Sequence, residues 1–340
     1  LWSKKARLAQ AGRAFLSSVC FLPAHPALFS LPRLDYTAET MNRHKVIKEA
    51  ARLADPFCIT KGEKFRLKDW DPADTIGIKN KQQAQEILDG REGVLSHLQE
   101  KLYAQDRWAI LIVLQALDAA GKDGVIKHVM SGVNPQGCDV HSFKSPSAEE
   151  LNHDFLWRAQ RCIPERGKIG IFNRSYYEEV LVVRVHPSLL GAEKLPESLI
   201  TKHIWEQRYE DINAYEQYLT RNGVGIRKFF LHLSKEEQKK RFLSRLEDPN
   251  KNWKFSMADT HERGFWSDYQ DAYDEMIRNT ATKHAPWYVV PADKKWFTQL
   301  IVASAIIKAL DDLHLSFPEV EKGKKKELEN VRHSLLAQKD

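Results

Sequence analysis

The chain has 340 residues, and its 52 Lys and Arg against 46 Asp and Glu give a formal charge of +6. That length suits one large domain or two modest ones, and 42% apolar with 29% charged residues is ordinary for a soluble globular protein. The charge is too mild to argue for nucleic-acid binding, although it leaves room for a local basic channel that takes a polyanion. The four cysteines, Cys20, Cys58, Cys138 and Cys162, form no zinc-type or CxxC spacing and read as reduced thiols of a cytoplasmic protein. No run approaches the roughly 18 apolar residues of a membrane span, so no membrane partner is expected.

No acidic residue precedes Asp35, and "KKARLAQAGRAFLSSVCFLPAHPALFSL" loosely imitates a targeting peptide. The plainer expectation is a disordered or non-native extension over 1–40, with Met41 opening a folded domain over 41–315. Residues 41–80 read as polar and irregular, wrapping the domain surface. A helix follows in "KQQAQEILDGREGVLSHLQEKLYAQ". The continuous apolar run "WAILIVLQA" fits a strand buried on both faces of a parallel sheet. Downstream, "DVHSFK" is a strand, "SAEELNHDFLWRAQRC" a helix with Ser147 as N-cap, and "KIGIFNRS" a second buried strand. "LITKHIWEQRYEDINAYEQYLTRNG" is a long helix ended by Gly223, "IRKFFLHLS" a strand, and "SKEEQKKRFLSRLED" a capped helix. "PWYVVPA" and "WFTQLIVASAIIKALDDL" close the domain, and the charged tail 316–340 is expected to fray. Strands alternating with helices predict an α/β fold, a doubly wound parallel sheet whose ligands bind beyond the strand ends.

The stretch "LIVLQALDAAGKDGVIKHVM" carries the chemistry. It resembles a strand–loop–helix phosphate cradle, with Gly121 and Lys122 in place but Ala116 for the first Gly and Asp123 for the Ser or Thr. Small residues (Ala119, Ala120, Gly121, Gly124) let backbone N–H groups face phosphates, and Lys122 reaches their oxygens. Two acids in such a loop are repulsive unless a hard cation sits between carboxylate and phosphate. Asp118 is therefore the candidate metal ligand. Asp123 either joins the phosphate site or merely complements the helix dipole.

Together "LDAAGKDGVIKHVMSGVNPQG", "SFKSPSAEELNHDFLWR", "FNRSYYEEVLVVRVHP" and "APWYVVPADKKWF" resemble the family-2 polyphosphate kinases, from about Phe65 to Leu313. The resemblance implies a P-loop kinase-like α/β domain with helices on both sheet faces and a helical lid over about 246–268. It implies Mg²⁺ dependence, with Mn²⁺ as the alternative ion, and phosphoryl transfer between inorganic polyphosphate and AMP, ADP or ATP. A homo-oligomer, dimer or tetramer, is implied as well. On this pattern Asp118, Lys122 and Arg174 are catalytic, and Asn173, Glu178 and Arg184 bind the nucleotide. Asn173 stands where the diphosphate-specific branch has Asp. With the Tyr-Glu-Glu after it, this resembles the class III branch that accepts AMP and ADP, and it puts direct metal binding by Asn173 in doubt. In the lid, Lys254 and Arg263 are candidates to bind the polymer, and Lys79, Lys81, Lys127 and Lys144 are candidates to line its channel. The guanidinium of Arg174 suits bidentate phosphate binding, whereas Arg184 could pair with a helix carboxylate instead.

The expected reaction is in-line transfer without a covalent intermediate. The rivals are an ADP-only polyphosphate kinase, a P-loop kinase using ATP and a hydroxyl acceptor, and a non-catalytic nucleotide- or RNA-binding protein that kept a degenerate loop.

Overall fold

The computed structural model describes residues 36–338; most of the expected extension, with Cys20, lies outside the described residues. Helix α1 (Tyr36–Ala54) leads to the short strand β1 (Cys58–Ile59), and after an irregular stretch come α2 (Lys81–Gln105) and β2 (Ala109–Gln115). Then follow α3 (Lys122–Val129), β3 (Cys138–Ser142), the one-turn α4 (Trp157–Gln160), β4 (Ile169–Asn173) and the one-turn α5 (Val182–Val185). The remainder is α6 (Ile204–Arg221), β5 (Val224–His232), α7 (Lys235–Glu247), α8 (Met257–Glu262), α9 (Trp266–Thr280), β6 (Trp287–Pro291), α10 (Lys295–Asp311) and α11 (Lys322–Ala337).

The six strands lie in the order β1-β6-β5-β2-β4-β3, parallel throughout except that β1 pairs antiparallel with β6. Strand β2 is buried along its whole length because helices cover both faces of the sheet. Its side chains alternate: Ile110, Ile112 and Leu114 pack with residues of α2, α3 and α10, while Ala109, Leu111 and Val113 pack with residues of α6 and α9. Helix α10, apolar almost all round, fills the first of these layers.

The second layer encloses a polar knot. Lys228 on β5 and Glu216 on α6 are fully buried, with Nζ 2.6 Å from Oε2. Tyr176 and Tyr177 each donate a hydroxyl to Glu216 Oε1 (2.9 and 2.8 Å), and Lys228 also donates to the Thr280 carbonyl (2.7 Å). Burial pulls the Lys228 ammonium below its ordinary value, and Glu216 opposes that shift. The knot anchors the segment after β4 to α6, α9 and β5, so the "NRSYYEE" turn stands on a satisfied base.

Several local expectations are corrected. Residues 36–54 form a helix, so irregular chain is confined to the stretch after Ala54. "SAEELNHDFLWRAQRC" is not one helix. Ser147 and Glu150 do form a reciprocal cap (3.2 and 2.6 Å), but Asp154 takes the Leu156 N–H (3.0 Å) and breaks the run, leaving a 3₁₀ turn and α4. The long helix begins at Ile204, not at Leu199. The tail is helical from Lys322 to Ala337, in keeping with its Lys, Glu and Leu content. Among the described residues, no helix is long and apolar enough to cross a membrane.

Lys228→Met leaves the Glu216 carboxylate buried without its cation. It is expected to lower unfolding stability by about 3–5 kcal/mol, read as a fall in the urea midpoint, and adding Glu216→Gln should recover part of the loss.

Candidate active site

Strand β2 ends at Gln115, and residues 116–121 turn into α3. Ala119 (φ 65°) and Gly121 (φ 106°) both take left-handed backbone, which explains why small residues stand there. Lys122 folds back over the turn and donates to the Ala116 carbonyl (2.7 Å). Burial, and next the charge of Arg174, lowers its pKa.

Carbonyls of this loop are held by Arg241 on α7. Its NH1 donates to Ala119 O (3.0 Å) and Ala120 O (2.8 Å), and its NH2 to Ala292 O (2.5 Å) and Asp293 O (3.2 Å). Its Nε donates to Glu237 Oε1 (2.9 Å). Gln238 holds the Asp118 carbonyl (3.0 Å).

Parallel pairing sets Leu114 opposite Asn173, so the strand ends of β2 and β4 deliver Asp118 and Arg174 side by side. Arg174 has φ 63°, and its N–H bonds Leu114 O (3.0 Å). A non-glycine residue in this region marks a position that its surroundings over-determine. Its guanidinium bridges Asp118 Oδ1 (2.7 Å) and Glu178 Oε2 (3.3 Å). Asn173 Nδ2 donates to Asp123 Oδ1 (2.8 Å).

An open cleft of about 1060 Å³ runs over the loop. Its walls include Asp118–Val125, Asn173, Arg174 and Lys144, together with Lys240, Arg241, Ser244 and Arg245 of α7, and Lys251, Lys295 and Thr298. At Phe143, Lys144, Ser145 and Arg174 it meets a second cavity of about 300 Å³. That one is more apolar, walled by Pro146, Leu151, Phe155, Val182, Val183 and Leu189.

Beneath the second cavity lies a buried nest of charges. Arg158 NH2 is 3.3 Å from Glu179 Oε1, Arg208 NH1 is 3.6 Å from Glu179 Oε2, and Arg208 NH2 pairs with Glu193. Arg158 NH1 also donates to the Lys144 carbonyl (2.7 Å), fixing the backbone at the junction. Burial, and next the Glu193 carboxylate, pushes the Glu179 pKa up to about 7.

The lid expected over 246–268 comprises a 3₁₀ turn, α8 and a second 3₁₀ turn. Arg245 reaches Asp259 of α8 at 3.6 Å, and Glu262 accepts from Tyr269 (2.6 Å) and pairs with His186 (2.9 Å).

The fold thus gathers Asp118, Ala119, Ala120, Gly121, Lys122, Asp123, Gly124, Lys144, Asn173 and Arg174 on one cleft, with Glu178 bordering the second cavity. Arg184 goes elsewhere. It pairs with Glu275 (2.5 Å) and Tyr209 (3.0 Å), the helix-carboxylate alternative, and lines neither cavity. Arg263 donates to Lys235 O (2.7 Å) and Gln238 Oε1 (2.9 Å) and lines a smaller cavity of about 40 Å³ together with Asp118, Arg174 and Glu178. Lys79, Lys81 and Lys127 are exposed and outside both cavity walls, and the side chain of Lys254 lies outside the described residues. The sequence reading missed Lys240, Arg241, Ser244 and Arg245. The signal was there: 240/244 and 241/245 are four apart, one face of a helix that starts beyond a sheet strand.

Among the described residues, no group of three or more His, Cys, Asp or Glu could hold a metal ion. Asp118 lines the cleft with its carboxylate on Arg174.

Comparison with known proteins agrees with this geometry. Residues 78–318 match the family model for polyphosphate kinase 2. An ADP-polyphosphate phosphotransferase of Rhodopseudomonas palustris is 52% identical over 281 residues, 82% of this chain and 97% of that protein. An AMP/ADP-polyphosphate phosphotransferase of Meiothermus ruber is 44% identical over 264 residues, 77% of this chain and 95% of that one. The crystal structure of polyphosphate kinase 2 from Arthrobacter aurescens TC1 superposes with a TM-score of 0.74 at 39% identity, covering 81% of this chain and 95% of that one. The chain belongs to the polyphosphate kinase 2 family.

Glu179 supplies a pH signature. Its folded pKa of about 7 lies above its ordinary 4.5, so its contribution to stability is full below about 4.5 and is lost as pH rises through about 7. Urea unfolding between pH 4.5 and 8 should show this decline, and Glu179→Gln should flatten it.

Proposed function

We propose that this polyphosphate kinase 2 moves the terminal phosphoryl group of inorganic polyphosphate to AMP and to ADP, reversibly, forming ADP and ATP. The carrying observation is the junction of the two cavities. The large basic cleft suits a polyanion, the smaller apolar pocket suits a nucleoside, and Arg174 and Lys144 stand where the two meet.

On this reading the polymer lies over the amides of residues 119–124 and against Lys240, Arg245, Lys251 and Lys295, while the acceptor nucleotide enters beside Phe143 and Val182. The acceptor phosphate is already largely ionised near neutrality, its second pKa being roughly 6, so base catalysis is a small demand. Alignment and charge neutralisation supply most of the rate. Arg174 clamps oxygens at the transfer point, Lys122 leaves its carbonyl for a phosphate oxygen, and Asp118 orients the acceptor and holds a cation. Mg²⁺, or Mn²⁺ in its place, would neutralise the transferring phosphoryl group. The acceptor pair AMP and ADP is favoured over ADP alone by Asn173, which is neutral and tied to Asp123. A cytoplasmic homo-oligomer, dimer or tetramer, completes the proposal; nucleic acid and membrane are not partners in it.

Incubation with Mg²⁺ and polyphosphate, separately with AMP and with ADP, tests this reading by chromatography of the nucleotides. ADP and then ATP should appear from AMP. ATP from ADP alone would leave an ADP-only kinase, and no transfer from a folded sample would overturn the enzyme. Asp118→Asn should abolish turnover while leaving the thermal midpoint within a few degrees; wild-type-like turnover would remove Asp118 from the machinery.

A further inference from the structure

Asp118 and Arg174 have conflicting duties. The reaction asks the carboxylate to face a cation and the guanidinium to face phosphate, yet the two are paired at 2.7 Å. On the proposed reading that pair opens during turnover. Arg174 then keeps its contact with Glu178, and its alignment depends on what holds that carboxylate.

The structure holds that remaining partner from behind. Glu178 keeps Oε2 on Arg174 NH1 (3.3 Å), and its other oxygen, Oε1, lies 2.8 Å from the carboxamide nitrogen of Gln115. The orientation of that amide follows from its neighbours: the opposite end, its oxygen, accepts from Ser175 Oγ (3.0 Å) and Ser175 N (3.3 Å). Ser175 Oγ in turn accepts the Tyr177 N–H (3.2 Å). Gln115 and Ser175 are fully buried, so neither amide nor hydroxyl has water as an alternative partner. A chain of hydrogen bonds thus links the end of β2 to Arg174: the Glu178 carboxylate accepts from Gln115 on one oxygen and from Arg174 on the other, and Asp118 is not part of it.

We infer that Gln115 is a positioning residue: acting through Glu178, it keeps one arm of Arg174 fixed while the other arm exchanges Asp118 for the transferring phosphate. Two consequences set this apart from a merely structural Gln. Its removal should slow the chemical step rather than weaken polymer binding, because the basic cleft walls are untouched. Its effect should also disappear once Arg174 is no longer able to use the Glu178 contact. The inference rests on the phosphotransferase reading above and concerns only relative rates among variants.

The test is a double-mutant cycle on kcat with polyphosphate, Mg²⁺ and ADP, using Gln115→Met, Arg174→Lys and both together. Gln115→Met alone should lower kcat about tenfold to a hundredfold, as expected for a misaligned catalytic group, with KM for polyphosphate changed less than about threefold. In the Arg174→Lys background the same substitution should have almost no further effect. Multiplicative losses, or an unchanged kcat in Gln115→Met, would overturn the inference. Should Gln115→Met fail to fold, Gln115→Asn, which draws the carboxamide back from Glu178, takes its place in the same cycle, with the same two outcomes decisive. Absence of transfer by the unsubstituted chain would instead count against the proposed function.

Discussion

Five N–H donors on one side chain decide which way the phosphate loop faces. Arg241 places every one of them, four directions onto backbone carbonyls of the loop and of the turn after β6, and one onto Glu237. A lysine has three donors on a single point and no planar fork, so it could not hold two separate chain segments in this way. Because Arg241 binds the loop and the β6–α10 turn together, the amide cradle is referenced to the sheet itself. Lys122, Asp118 and the start of α3 inherit their positions from that constraint.

The other half of the site is referenced to the core. The turn that carries Arg174 and Glu178 continues directly into Tyr176 and Tyr177, whose hydroxyls end on buried Glu216. A fully satisfied ionic knot costs desolvation but confers a single geometry, because any shift would strand a charge in apolar surroundings. The left-handed backbone at Arg174 is held between that knot and the hydrogen bond to Leu114. Phosphoryl transfer demands alignment more than reactive groups, and a site pinned on both sides to the same sheet meets that demand.

Local pattern made the centre of the site legible before any coordinates. The buried run before Asp118, the Gly-Lys pair and the strand ending in Asn173 and Arg174 each carry their signal within a few neighbouring residues. What stayed hidden depends on contacts between distant residues. Arg241 meets Ala119 across 122 positions: helical spacing puts Arg241 and Arg245 on one face, but local pattern does not say that the loop carbonyls are what Arg241 binds. Arg184 was left between two roles by the motif, and the fold brought Glu275 within 2.5 Å, the helix-carboxylate alternative. The segment after Ser147 had a good cap and helical composition, yet Asp154 accepts the Leu156 N–H on its side chain and ends the helix early.

Two cavities that share a single wall permit one substrate to leave while the other stays. Phe143, Lys144, Ser145 and Arg174 are the whole of that shared wall. On the proposed reading, a nucleotide product departs through the apolar pocket without disturbing cations that grip the polymer along α7 and α10. The polymer can then advance by one unit and meet a fresh acceptor. On that same reading transfer is processive by architecture, with the run length set by how much chain remains for those cations to hold.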